Sequence, residues 1–129
     1  MKIEWHCLWI AIGGALGALG RYGIGRSMSR FFEHPFPVGT LFANVSGCLF
    51  IGVMLGSGIF DKSTPARMGI GVGFLGALTT FSTFGAETIQ HLEQQQWGWA
   101  IVNVIANLVL GLTAVSIGLL IGRRLAPWI

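Results

Sequence analysis

Met68-Gly-Ile-Gly-Val-Gly-Phe-Leu-Gly-Ala-Leu78-Thr79-Thr80-Phe81-Ser82-Thr83-Phe84 is apolar for its first two thirds and rich in hydroxyls for the rest. As an α-helix the apolar part, Met68 to Leu78, rises only ~16 Å, about half of the ~30 Å hydrocarbon core of a bilayer. To cross a membrane here, the chain must carry Thr79, Thr80, Ser82 and Thr83 at depth. Glycines 69, 71, 73 and 76 stand just before them, and both residue types are weak helix formers in this setting, so a break is expected near 76–80. A broken helix at membrane depth is tolerated only when it is buried in protein or lines a cavity.

The surrounding composition says that a membrane is the solvent. Of 129 residues, 53% are hydrophobic and 10% charged, whereas soluble domains carry about 25% charged residues. At roughly 20 residues per helix the length allows about four spans and short connections, which excludes a separate catalytic or nucleic-acid-binding domain. The expectation is one all-α transmembrane domain, 1–129, with spans at about 6–26, 38–60, 65–94 and 98–122. Lys2 before a short apolar run has the outline of a secretory signal, but three more hydrophobic segments follow and no clear cleavage pattern stands between them, so it is taken as a retained first span. From Cys7 to Gly20 a helix rises ~21 Å, so the span must extend toward Trp5 or Gly25, which puts Arg21 at or inside a membrane boundary. His34-Pro35-Phe36-Pro37 marks the loop before the second span, and Asp61-Lys62-Ser63 the break after it. Thr64-Pro65 reads as an N-cap and first helical residue. Trp5, Trp9, Trp97, Trp99 and Trp128 suit an interfacial belt.

Charge placement follows the same logic. The net charge is +3, yet the basic residues are scattered through apolar sequence, which argues against a nucleic-acid partner. Four spans put both termini on one side, with Lys2, Lys62, Arg67, Arg123 and Arg124 against Arg26 and Arg30 on the other. The bias favours termini inside, and it is small enough to permit insertion in both orientations. Cys7 and Cys48 sit in apolar surroundings with no metal-ligand spacing, and His6, His34 and His91 are dispersed. No nucleophile–base pair or phosphate loop is present, and an enzyme is not expected.

Several residues are costly in lipid. Gly13, Gly17 and Arg21 share one face of the first span, Gly52 and Gly56 repeat the spacing on the second, and Gly118 and Gly122 on the fourth. Small residues at this spacing favour close helix packing, and short helices that enclose little interior favour an oligomer. Arg21 either snorkels to a boundary or draws an anion into a vestibule. Asn44, Asn103 and Asn107 need partners in hydrocarbon, either across helices or along a polar path joined by Thr40, Ser82 and Thr83. Amide and hydroxyl donors suit a small anion that must shed water. Phe81 and Phe84, three apart, are either packing or a gate whose electropositive ring edges meet an anion. Glu87, one turn further, is either solvated or at a pore mouth.

At these residues the sequence resembles a known family. Gly14-Ala-Leu-Gly17-Ala-Leu-Gly20-Arg21-Tyr22, Gly39-Thr40-Leu-Phe-Ala-Asn44-Val-Ser-Gly47 and Gly73-Phe-Leu-Gly76-Ala-Leu-Thr79-Thr80-Phe81-Ser82-Thr83-Phe84 closely resemble the Fluc (CrcB) family of fluoride channels. The resemblance implies an antiparallel, dual-topology homodimer with two pores, passively exporting cytoplasmic fluoride across the bacterial inner membrane and conferring fluoride resistance. It implies that Asn44, Phe81 and Phe84 lie along the pores, that Ser82 and Thr83 form a polar track, and that Arg21 lies near the anion vestibule. It further implies a structural sodium ion at the dimer centre, held by the backbone carbonyls of Gly76 and Thr79. The chain departs from the family where Gly-Gly often precedes the threonines, having Gly76-Ala77, and where Asn107 and Asn103 stand near a position that is often serine.

The rival is a small multidrug exporter, also of four spans. Proton-coupled exchange of cationic drugs needs a carboxylate inside the first span. None lies between Cys7 and Gly25; Glu4 precedes the span.

Overall fold

The computed structural model describes residues 2–32, 35–59, 64–65 and 67–126. His34, the Asp61-Lys62-Ser63 break and Trp128 lie outside the described residues. The regular elements of the described chain are all helices: α1 (Lys2–Phe31), α2 (Val38–Gly56), a π-helical segment (Arg67–Leu75) that runs into a single turn, α3 (Gly76–Leu78), then α4 (Phe81–Glu93) and α5 (Trp97–Leu125). Among the described residues four stretches are long and apolar enough to cross a membrane: Trp5–Phe31, Val38–Gly56, Arg67–Glu93 counted through its interruption, and Trp97–Leu125.

Helix ends follow local chemistry. Pro37 precedes α2, accepting the first turn's bond from Leu41 N at 3.2 Å, and α2 stops where Gly58 adopts φ 74°, a left-handed conformation that glycine takes without a Cβ clash. Thr64 caps the third span, its Oγ1 accepting from Arg67 N at 3.2 Å. Between α4 and α5 the chain reverses in three residues. Gln95 takes φ 59°, Gln96 N donates to the His91 carbonyl at 2.8 Å, and the buried His91 ring bonds Gln96 Oε1 through Nδ1 at 2.8 Å.

Glycines decide how the helices meet. A Cβ on Gly52 would strike the Val115 carbonyl, one on Gly56 the Leu119 carbonyl, one on Gly118 the Leu49 carbonyl and one on Gly122 the Val53 carbonyl. The α2 and α5 backbones therefore touch directly, and the contacts advance in step along both helices. Gly13 and Gly17 do the same for α1 against Gly69 and Phe74, with Gly73 answering from the π-helical segment. Such contact replaces a hydrophobic driving force that lipid cannot supply between helices.

The burial pattern is inverted relative to a soluble domain. Large apolar side chains such as Leu19, Phe50, Ile105 and Leu112 face outward, and the largest fully buried side chain is Asn103. A small cluster of Met54, Leu75 and Leu78, flanked by Ile24, Ile51 and Phe74, joins α2 to the third span. An apolar exterior around polar interior groups is the arrangement that a bilayer demands.

Candidate functional site

Thr79 and Thr80 interrupt the third span. Their backbones are extended, at φ −81°, ψ 154° and φ −151°, ψ 117°. Two side chains take the hydrogen bonds that a continuous helix would have made. Thr80 N donates to Asn44 Oδ1 at 2.8 Å rather than to the carbonyl four residues back, that of Gly76. Thr83 N donates to Thr80 Oγ1 at 3.1 Å, which makes Thr80 the N-cap of α4 and leaves the Thr79 carbonyl without its helical partner. Gly76 is exposed, and a Cβ there would meet nothing within 4 Å. The Gly76 and Thr79 carbonyls thus belong to backbone that helix bonding does not claim, a chemistry suited to a hard cation.

Asn44 is the centre of the polar interior. Its amide closes a reciprocal pair with the Thr80 peptide, Nδ2 donating to Thr80 O at 3.3 Å, and it also donates to Asn107 Oδ1 at 2.9 Å. Asn107 Nδ2 in turn donates to Asn103 Oδ1 and to the Asn103 carbonyl, both at 3.0 Å. Asn103, with 0% exposure, donates to Thr88 Oγ1 at 2.9 Å, and Thr88 donates to the Phe84 carbonyl at 2.8 Å. Asn103 and Asn107 thus bond across helices, from α5 to α2 and α4.

Two cavities flank the interruption. One of about 460 Å³ is lined by Arg21 and Tyr22 of α1, Thr40 of α2, and Thr80, Thr83 and Glu87 of the third span. The other, about 350 Å³, is bounded by Asn44, Gly47, Leu75, Gly76, Thr79, Thr80 and Phe81. Glu87 accepts from Thr40 Oγ1 at 2.6 Å, while its buried Oε2 has no partner among the described residues. A further space of about 280 Å³ extends the first cavity past Gly25 and Gly39 to Ser29 and Phe36. Gly39 approaches Gly25 so closely that a Cβ would lie 2.9 Å from the Gly25 Cα. Arg21 is half-buried where it lines the first cavity.

The aromatic pair sits at the start of α4. Phe81 and Phe84 ring centroids are 5.5 Å apart and tilted by 51°, a favourable aromatic arrangement. Phe81 is 83% exposed, the most exposed large apolar side chain in the described chain, and Ser82 beside it is exposed too. Ser82 Oγ lies 3.3 Å from Thr80 Oγ1, which donates to Thr83 Oγ1 at 3.0 Å. Arg21, Thr40, Asn44, Thr83 and Glu87 are therefore gathered around the interruption, with Phe81, Ser82 and Phe84 at its rim, while Asn103 and Asn107 brace it from behind. Two further residues matter: Thr80, whose hydroxyl and peptide both anchor the interruption, and Thr88. Thr80 carries a local signal, a hydroxyl three residues before a hydroxyl in a chain leaving a glycine run. Thr88 carries none, because its partner is on another helix.

This is a small multi-span α-helical membrane protein with an apolar exterior and a seam of amides and hydroxyls running past one interrupted span. The chain matches the family model of CrcB-like protein, Camphor Resistance (CrcB), over residues 8–119. It belongs to that family. It is 42% identical over 120 residues to the fluoride-specific ion channel FluC of Acidobacterium capsulatum, covering 92% of this chain and 96% of the relative. It is 46% identical over 114 residues to a protein of the same name from Shewanella sp., covering 88% and 92%, and 41% identical over 119 residues to FluC 2 of Symbiobacterium thermophilum, covering 91% and 94%.

Proposed function

We propose that the chain is a fluoride-selective passive ion channel of the bacterial inner membrane that exports cytoplasmic fluoride and so confers fluoride resistance. The observation that carries this reading is the placement of donors and ring edges around the interruption at Thr79 and Thr80. Relatives that match almost the whole chain and bear the fluoride-channel name support the choice of ion.

Fluoride holds water tightly, so a path for it must supply hydrogen-bond donors in close succession. Arg21 raises the local concentration of anions in the vestibule. Thr40, Thr83 and Ser82 offer hydroxyls beyond it, and Phe81 and Phe84 offer electropositive ring edges that need no formal charge. Asn44 contributes through its longer contact, the 3.3 Å bond to Thr80 O, which an ion can displace at less cost than the 2.9 Å bond to Asn107. Glu87 stands at the mouth, lining the same cavity as Arg21. Few full charges along the route means that the ion is not trapped.

The functional unit in this proposal is an antiparallel, dual-topology homodimer embedded in lipid, with two pores. Phe81 and Gly76, both exposed on the subunit, face the partner copy. The Gly76 and Thr79 carbonyls of each copy would hold a central sodium ion; its chemistry is structural, fixing the two interruptions against each other by charge–dipole attraction.

Liposomes loaded with potassium fluoride or potassium chloride test the function. With a potassium ionophore present, fluoride efflux is expected to be fast and chloride efflux no faster than from protein-free vesicles. Fluoride release at the protein-free rate, from vesicles shown to contain folded protein, overturns the channel reading.

A further inference from the structure

The polar interior contains a feature that the pore itself does not require. From Asn44 the amides run head to tail: Asn44 donates to Asn107, Asn107 to Asn103, Asn103 to Thr88, and Thr88 to the Phe84 carbonyl. Both ends of the chain have fixed polarity. The Thr80 peptide N–H can only donate, so it sets Asn44 Oδ1 toward the interruption. The Phe84 carbonyl can only accept, so the Thr88 hydroxyl must donate to it and accept from Asn103. Every amide between them then has one orientation that satisfies both neighbours, and reversing any one of them leaves like groups facing each other. Chains of this kind reinforce each other's polarisation in a low dielectric.

The chain begins at Thr80 and ends at Phe84, the two ends of the first turn of α4, and Phe81 and Phe84 lie within that turn. Asn103 is its fully buried link, 0% exposed, with a second contact to the Phe84 carbonyl at 3.5 Å. We infer that Asn103 is a positioning residue: through Thr88 and the Phe84 carbonyl it sets the angle at which the first turn of α4, and with it the Phe84 ring, leaves the interruption. It touches no ion. The consequence for flux rests on the channel reading above; the consequence for the ring does not.

The test uses the full-length protein with 4-fluorophenylalanine placed at Phe84, or at Phe50 on the outer face of α2 as control, and reads both fluorine NMR and fluoride efflux. Asn103→Val removes the link, and Thr88→Val removes only its acceptor while leaving Asn103 in place. The Phe84 resonance is expected to shift or split in both variants and the Phe50 resonance in neither. Fluoride efflux is expected to fall roughly tenfold in each, about what one lost hydrogen bond produces in an equilibrium, with the double variant no worse than the more impaired single one. An unmoved Phe84 resonance in folded Thr88→Val overturns the inference, as does a large flux loss in Asn103→Val with that resonance unmoved, because Asn103 would then act on the ion directly. Absence of fluoride efflux from the unaltered protein removes the channel reading, and the Phe84 resonance still decides the positioning role.

Discussion

The contact between α2 and α5 is held in two different ways along its length. In one half, Gly52 and Gly56 lie against Gly118 and Gly122, and the two backbones touch without any side chain between them. In the other half, Asn44 and Asn107 join the same two helices by an amide–amide bond of 2.9 Å. The first half tolerates no added volume, and the second tolerates no lost polarity. Lipid offers no hydrophobic reward for bringing helices together, so each half relies on what remains, close van der Waals contact or hydrogen bonding. Both halves lie against the third span, but only the polar half bonds to its interruption, through Asn44 and Thr80.

Substitutions that exchange the character of the two halves break this comparison. Gly118→Leu is expected to have the largest effect, because its Cβ alone collides with the Leu49 carbonyl and relief needs a shift of α2 rather than of a side chain. A loss of about 3 kcal/mol or more is expected, seen as failure to recover monodisperse protein in detergent. A variant that elutes and melts like the unaltered chain would show that the glycine half is not in backbone contact. Asn44→Leu should come next. It strands the Thr80 N–H and the Asn107 Oδ1 at a cost of about 1–3 kcal/mol, less where the unfolded chain in the membrane finds other partners. The expected result is a lower melting temperature with fluoride efflux reduced out of proportion to the protein lost; a change in stability alone would make the polar half a second packing device. Gly98→Ala should do least, since nothing lies within 4 Å of an added Cβ. An unchanged melting temperature, or a gain of up to ~1 kcal/mol from helix propensity, is expected. A clear loss there would mean that open glycines as well as packed ones are under constraint.

The architecture was legible in the sequence where it depends on composition and on spacing within one helix. Four apolar stretches and the i, i+4 glycines carry their own signal, and Gly52, Gly56, Gly118 and Gly122 meet where the spacing places them. The residues of the candidate site were nameable one by one because polar groups in apolar runs stand out. Their pairings were not legible. Thr40 meets Glu87 across 47 residues and Asn44 meets Thr80 across 36, and nothing in either local sequence encodes the partner. The same holds for Asn103, whose partner Thr88 lies on α4, 15 residues away. The π-helical turn of Arg67–Leu75 also escaped, since its glycines weaken an α-helix without specifying what replaces it. This segment packs closely against Gly13 and Gly17 of α1, contacts that no local pattern in the glycine run announces.

The in-step glycine contacts have a consequence for connectivity. Gly52 pairs with Gly118 and Gly56 with Gly122, so α2 and α5 point the same way. Two helices with the same heading can both span a bilayer only if the chain joining them crosses it an odd number of times. Among its described residues the joining chain contains one stretch long and apolar enough to cross, Arg67–Glu93. That stretch cannot be a loop that dips in and returns to the face it left. However unfavourable two extended threonines are at that depth, the parity of the whole chain obliges them to go through.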